Sequence, residues 1–168
     1  MNDVLRLIAG GLLALICCYG GVLIKKRYKE RESFFSRAEA FACVLSTEIG
    51  LHKTPIPDVV SKFATSQKEK FDVFLTASLQ QMRDGASVQE LIEKCDVSIL
   101  KKDEKNEICT FLSSLGKTAL DDQMTIAKAY EKIFDDKKKK CANESKQFGN
   151  MYFKLSVLLG LALILILS

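Results

Sequence analysis

Apolar residues crowd the two ends of the chain, and between the ends they recur at helical spacing. Positions 4–24 carry 16 hydrophobic residues in 21, and Leu7 to Ile24 is an uncharged run of 18, the length a helix needs to cross a bilayer. Met151 to Ser168 is denser, with no charge from Leu155 to Leu167. It reaches spanning length once Lys154 snorkels its ammonium back to the headgroups. The pattern predicts a transmembrane helix at 4–24, a helical domain at 25–150 and a second transmembrane helix at 151–168. A cleaved signal peptide fits the first segment poorly. Arg6 is its only basic n-region residue, no A-x-A site follows, and the apolar run is too long for an h-region.

From Glu32 to Phe148 the period is 3.6 with no sustained alternation, so the fold class is all-α, an antiparallel bundle of about six helices. Phe34, Ala38, Phe41, Ala42, Leu45 and Ile49 form the inward stripe of a helix continuing from the first apolar segment. That helix stops at Gly50 to His52, since Thr54-Pro55-Ile56-Pro57 cannot prolong it. Asp58 is expected to cap a short second helix bearing Val59, Val60, Phe63 and Ala64. A third, from about Glu69 to Arg83, groups Phe71, Phe74, Leu75, Ser78, Leu79 and Met82 and ends at Gly85. Ser87-Val88-Gln89-Glu90 has the capping-box pattern and opens a fourth helix with Val88, Leu91, Ile92 and Cys95 inward. The fifth, from about Lys102 to Leu115, carries Ile108, Phe111, Leu112 and Leu115, with Gly116 as its αL cap. The sixth starts near Asp121-Asp122 with Ile126, Ala127, Tyr130, Ile133 and Phe134 and meets no breaker before Gly149, so it runs on into the second apolar segment.

Composition sharpens this division. The chain is 48% hydrophobic over 168 residues, but without the two ends the remainder is about 40% hydrophobic, ordinary for a soluble domain. The net charge of +4 is uneven as well. Residues 32–136 hold 13 basic and 18 acidic side chains, a net of −5. The excess of positive charge lies in Lys25, Lys26, Arg27, Lys29 and Arg31, and in Lys137, Lys138, Lys139 and Lys140. These two runs read as collars at anionic headgroups, which makes the lipid bilayer the partner and excludes nucleic acid. By the positive-inside rule the central domain is cytoplasmic and both termini face out. Six cysteines without a CxxC fit a reducing compartment.

Candidate chemistry is sparse. His52 is the only histidine and sits beside the Pro turn, without the companion ligands a metal site needs. Cys43, Cys95, Cys109 and Cys141 could pair with it in a thiol enzyme, but three of them fall on or near apolar stripes, where cysteine behaves as a small hydrophobe. No phosphate-binding or nucleophile-elbow motif is present. No catalytic, cofactor-binding or metal site is therefore expected. One stripe is suggestive: Gly10, Ala14, Cys18 and Gly21 put small side chains on one helix face, which lets membrane helices approach closely.

Three landmarks follow one another in order: Lys53-Thr54-Pro55-Ile56-Pro57-Asp58-Val59-Val60, then Met82-Arg83-Asp84-Gly85-Ala86-Ser87-Val88, then Phe111-Leu112-Ser113-Ser114-Leu115-Gly116 before a long helix. The arrangement resembles the cytoplasmic domain of type II secretion inner-membrane platform proteins. A single such domain between two membrane segments resembles the stage III sporulation protein AB family, over essentially the whole chain. Pro57 and Lys53 depart from that family's simpler Gly-Pro-Leu turn. The resemblance implies a platform in the mother-cell membrane, part of a secretion-like channel complex toward the forespore. It also implies a cytoplasmic ATPase partner of the stage III sporulation protein AA type and further membrane proteins of the same complex.

The expected function is thus a non-enzymatic membrane-anchored adaptor of a complex required for endospore formation, with homo-oligomer formation left open. The alternatives are a membrane-bound Cys/His enzyme and a small pore-forming membrane protein.

Overall fold

The computed structural model describes residues 2–64, 69–83 and 97–167, with the side chains at 2–10, 13, 14, 81–83, 163, 164, 166 and 167 outside that description. Every regular element among the described residues is helical: α1 (Asn2–Thr47), α2 (Ile56–Phe63), α3 (Lys70–Arg83), α4 (Lys102–Ser114), α5 (Leu120–Glu144) and α6 (Asn150–Leu167). π-helical stretches follow α1 at Glu48–His52 and α5 at Ser145–Gly149. The expected fourth helix, with Gly85, Ser87, Val88, Leu91, Ile92 and Cys95, lies outside the described residues, as does the side chain of Met82. The chain divides into two compact units, one of residues 33–139 and one of residues 1–32 with 140–168. Among the described residues no helix is long and apolar enough to cross a membrane. The spans expected at 4–24 and 151–168 are accordingly not part of the described architecture.

In unit 33–139 the stripe of α1 is buried as its period requires, from Phe34 to Ile49. The helix closes through its π turn on Lys53, which adopts the left-handed conformation at φ 50°, ψ 33° and donates its N–H to the Glu48 carbonyl. Asp58 is not the cap of α2. Pro55 is the N-cap, and Pro57 sits inside the first turn, where its missing N–H costs no hydrogen bond. Asp58 is then a first-turn carboxylate favoured by the helix dipole. α4 begins with Glu104 accepting the Lys101 N–H at 2.9 Å, and Gly116 beyond its end takes φ +78°, a conformation that suits a residue without a Cβ.

The core of this unit is aromatic. Phe34, Phe35, Phe134, Phe111, Phe41 and Phe71 form a closed circuit, each ring against the next with centroids 5.3–6.4 Å apart. These separations fall in the range that favours edge-to-face contact. Tyr130 joins at 4.8 Å from Phe111. Two features of the core carry no apolar period in the sequence: the turn Val97 to Leu100, with Val97, Ile99 and Leu100 buried, and the buried carboxylate of Asp72. Arg37 satisfies Asp72 with an Nε donor at 2.9 Å while its guanidinium lies 4.2 Å over the Phe63 ring.

In the second unit, α1 and α6 run antiparallel: Gly21 meets Ser156 and Phe153, Lys25 meets Gly149 and Phe153, and Arg31 meets Glu144. Gly21, Cys141, Gly149 and Gly160 are buried. Cys141 and Gly149 are eight residues apart, which in a regular α-helix would turn one about 80° off the face of the other. The π stretch at 145–149 absorbs one extra residue, so both reach the same face.

Candidate functional site

The first basic run occupies α1 in unit 1–32/140–168. Lys25, Lys26, Arg27 and Lys29 are exposed. Arg31 is not: its guanidinium is 5% exposed and donates to Glu144 Oε2 at 2.5 Å. A charge so withdrawn from water depends on neutralising contacts, and the Glu144 carboxylate supplies one that offsets the cost of its burial.

The second run is divided by its partners. Within unit 33–139, Lys137 Nζ lies 2.9 Å from Glu107 and 3.7 Å from Asp103, Lys138 Nζ lies 2.5 Å from Glu39, and Lys139 Nζ lies 2.5 Å from Asp135. The hydrogen bond to Glu39 holds the Lys138 ammonium above its usual range. Burial, the largest single influence, pulls Lys137 down, but the hydrogen bond and charge of Glu107 with the charges of Asp103 and Glu104 together outweigh it, and the net movement is up. Lys139 is raised by its bond to Asp135, whose carboxyl is lowered by the same bond. Lys140 belongs to the other unit and is exposed.

Of the small-residue stripe, Gly21 is buried, and a methyl built on it would collide with the Ser156 hydroxyl and come within 3.0 Å of Ser156 Cβ and 3.4 Å of Phe153 Cα. Cys18 is half-buried, and the side-chain positions of Gly10 and Ala14 lie outside the described residues. The opposing face on α6, with Ser156 and Gly160, was not picked out from the sequence. Its signal is a small residue at 156 and 160 within a Leu/Ile/Val run, in phase with Gly149 ahead of it.

Among the described residues the thiols and His52 form no constellation. His52 is exposed, with Nδ1 3.8 Å from Glu48. Burial, and then the charge of Glu131, push the Cys43 thiol up, and burial does the same to Cys109. Raised thiols are the reverse of an activated nucleophile. Cys141 is buried, and Cys95 lies outside the described residues. Among the described residues no group of three His, Cys, Asp or Glu side chains could hold a metal ion. An apolar pocket of about 150 Å³ opens between α2, α3 and α4, lined by residues including Ile56, Val60, Leu75, Leu79 and Leu112. Among its described lining residues the one hydroxyl, Ser78, already donates to the Phe74 carbonyl at 2.7 Å, and none of them offers a side-chain group for acid–base or nucleophilic work.

The described residues define an all-helical protein whose notable surfaces are a paired apolar helix unit and a bundle laced by ion pairs. Residues 6–168 match the family model for stage III sporulation protein AB (spore_III_AB), and the chain belongs to that family. Its role is accordingly in sporulation. No curated protein and no solved structure matches it.

Proposed function

We propose that the chain is a non-enzymatic platform that anchors in the mother-cell membrane through residues 4–24 and 151–168. It presents its helical bundle to a cytoplasmic ATPase of the stage III sporulation protein AA type, within a secretion-like channel complex. The observation that carries the membrane anchor is the surface of the α1–α6 pair. Of the exposed large hydrophobic side chains among the described residues, Leu12, Leu15, Ile16, Tyr19, Val22, Leu23 and Ile24 on α1 and Met151, Tyr152, Leu155, Leu158, Leu159, Leu161 and Leu165 on α6 all belong to this one unit. Four others, Val44, Leu51, Val73 and Leu120, are scattered over the bundle unit. Apolar surface so extensive is unstable in water and suits hydrocarbon. The raised thiols of Cys43 and Cys109 weigh against a Cys/His enzyme.

Crosslinking and pull-down from sporulating membranes, after alkaline carbonate washing, tests both halves. The chain is expected to stay with the carbonate-washed membrane and to bring a hexameric-type ATPase with it. Release by carbonate refutes the anchor, and absence of the ATPase from crosslinked material refutes the platform role.

A further inference from the structure

We infer that anionic lipid headgroups are held by one composite belt, built from Lys25, Lys26 and Lys29 of α1 with Lys146 and Lys154 from the opposing helix, and that Lys137, Lys138 and Lys139 take no part. The inference rests on the membrane anchor proposed above and specifies its partner. The antiparallel register brings the two sides of the belt to one level. Gly149 lies against Lys25, a methyl built on it falling 3.6 Å from the Lys25 Cγ, and the Lys25 ammonium stands 5.7 Å from the centre of the Phe153 ring. Lys146 and Lys154 therefore flank the level of Lys25, all five lysines being exposed. Immediately beyond lies the exposed apolar surface of Leu23, Ile24, Leu155 and Leu158, with exposed Tyr152 at the boundary. A cationic ring bordering an apolar surface, with a tyrosine between them, is the chemistry of a phospholipid interface.

Charge accounting separates the two lysine groups. Residues 25–32 and 140–154 hold eight basic and three acidic side chains, 8 − 3 = +5. Residues 33–139 hold 16 basic and 17 acidic, 16 − 17 = −1, and reach that balance only by including Lys137, Lys138 and Lys139. Each of those three has a carboxylate of its own unit within 2.9 Å. An ammonium already engaged in this way has little left to offer a phosphate.

The full chain in nanodiscs of neutral phosphatidylcholine, with a rising fraction of phosphatidylglycerol carrying a fluorescent acceptor, reads the preference directly through energy transfer from a dye on the protein. Replacing Lys25, Lys29 and Lys146 by Gln should lower the preference for phosphatidylglycerol at least about tenfold. Arginine at the same three positions should restore it, which separates loss of charge from loss of folding. Gln at Lys137, Lys138 and Lys139 should leave the preference within about twofold while lowering the melting temperature of the bundle. A preference that follows residues 137–139, or that survives loss of the belt lysines, overturns the inference. Failure of the unmodified chain to enter neutral nanodiscs would instead refute the membrane anchor.

Discussion

Replacing Gly21 by Ala tests the α1–α6 pairing at its closest point. The added methyl would collide with the Ser156 hydroxyl, and rotating that hydroxyl would break its bond to the Phe153 carbonyl at 2.8 Å. Rotation alone gives no relief, because Ser156 Cβ at 3.0 Å and the backbone Cα of Phe153 at 3.4 Å remain inside ordinary carbon contact. The helices must part by about 0.5–1 Å, and a gap of that size forfeits a quarter to a half of each dispersion contact along the seam. The expected cost is about 1–3 kcal/mol. Ser156→Gly removes both the hydroxyl and the Cβ that obstruct the methyl. The helix propensity gained at 21, roughly 1 kcal/mol, exceeds that lost at 156, roughly 0.5 kcal/mol, so the double variant should return to within about 1 kcal/mol of the parent. Cys141, buried in the same unit, supplies the readout once the other cysteines are changed to Ser: thermally induced labelling of its thiol in micelles reports opening. If the two effects simply add within about 0.5 kcal/mol, Gly21 and Ser156 do not touch and the pairing described above is wrong.

Lys53 holds a left-handed conformation that Gly adopts freely, so Lys53→Gly should gain up to about 1 kcal/mol and Lys53→Val should lose about 1–2 kcal/mol in thermal denaturation. The bundle should also lose stability at both pH extremes. Asp135, lowered by its bond to Lys139, and Asp103, where burial is outweighed by backbone hydrogen bonds and Lys137, stabilise above the ordinary carboxyl value of 3.8, and that contribution disappears as pH falls through their lower folded values. Lys137, Lys138 and Lys139 are raised and stabilise below 10.5, a contribution lost as pH rises beyond that value. Melting temperature against pH should be level between about pH 5 and 9, and Gln at the three lysines should shrink the alkaline decline. Deleting exposed Gln147 removes the extra residue of the π stretch and should leave Cys141 protected from thiol labelling, whereas deleting Leu155 turns Ser156 and Gly160 about 100° off α1 and should expose it. Equal tolerance of the two deletions would refute the phasing role.

Legibility in the sequence followed the range of the interactions. The stripe from Phe34 to Ile49, the break at Pro55 and Pro57 and the left-handed turn at Gly116 are local, and each was visible as a period or a turn residue. The cap of α2 was misplaced because a proline reads as a stop signal, although it serves equally well in a first turn. The partners of the second lysine run were hidden for a different reason. Lys138 meets Glu39 across 99 positions of sequence, and no one-dimensional pattern distinguishes a lysine with such a partner from one facing solvent or lipid. Asp72 was missed for the same reason, since its companion Arg37 lies 35 residues away. Cys141 shares the face of Gly149, Ser156 and Gly160 only once the π stretch is counted, and nothing in the residues 145–149 announces one.

The ring of phenylalanines has an optical consequence. The chain has no tryptophan, and of its four tyrosines only Tyr130 belongs to unit 33–139. Its phenol sits against Phe111 and Phe134 and is raised in pKa by burial and then by the charge of Glu107. With Tyr19, Tyr28 and Tyr152 changed to Phe, ultraviolet emission would come from one site, where the aromatic circuit meets α5. Any partner that loosens this core would then register as a change in one fluorophore, in a protein carrying no attached dye.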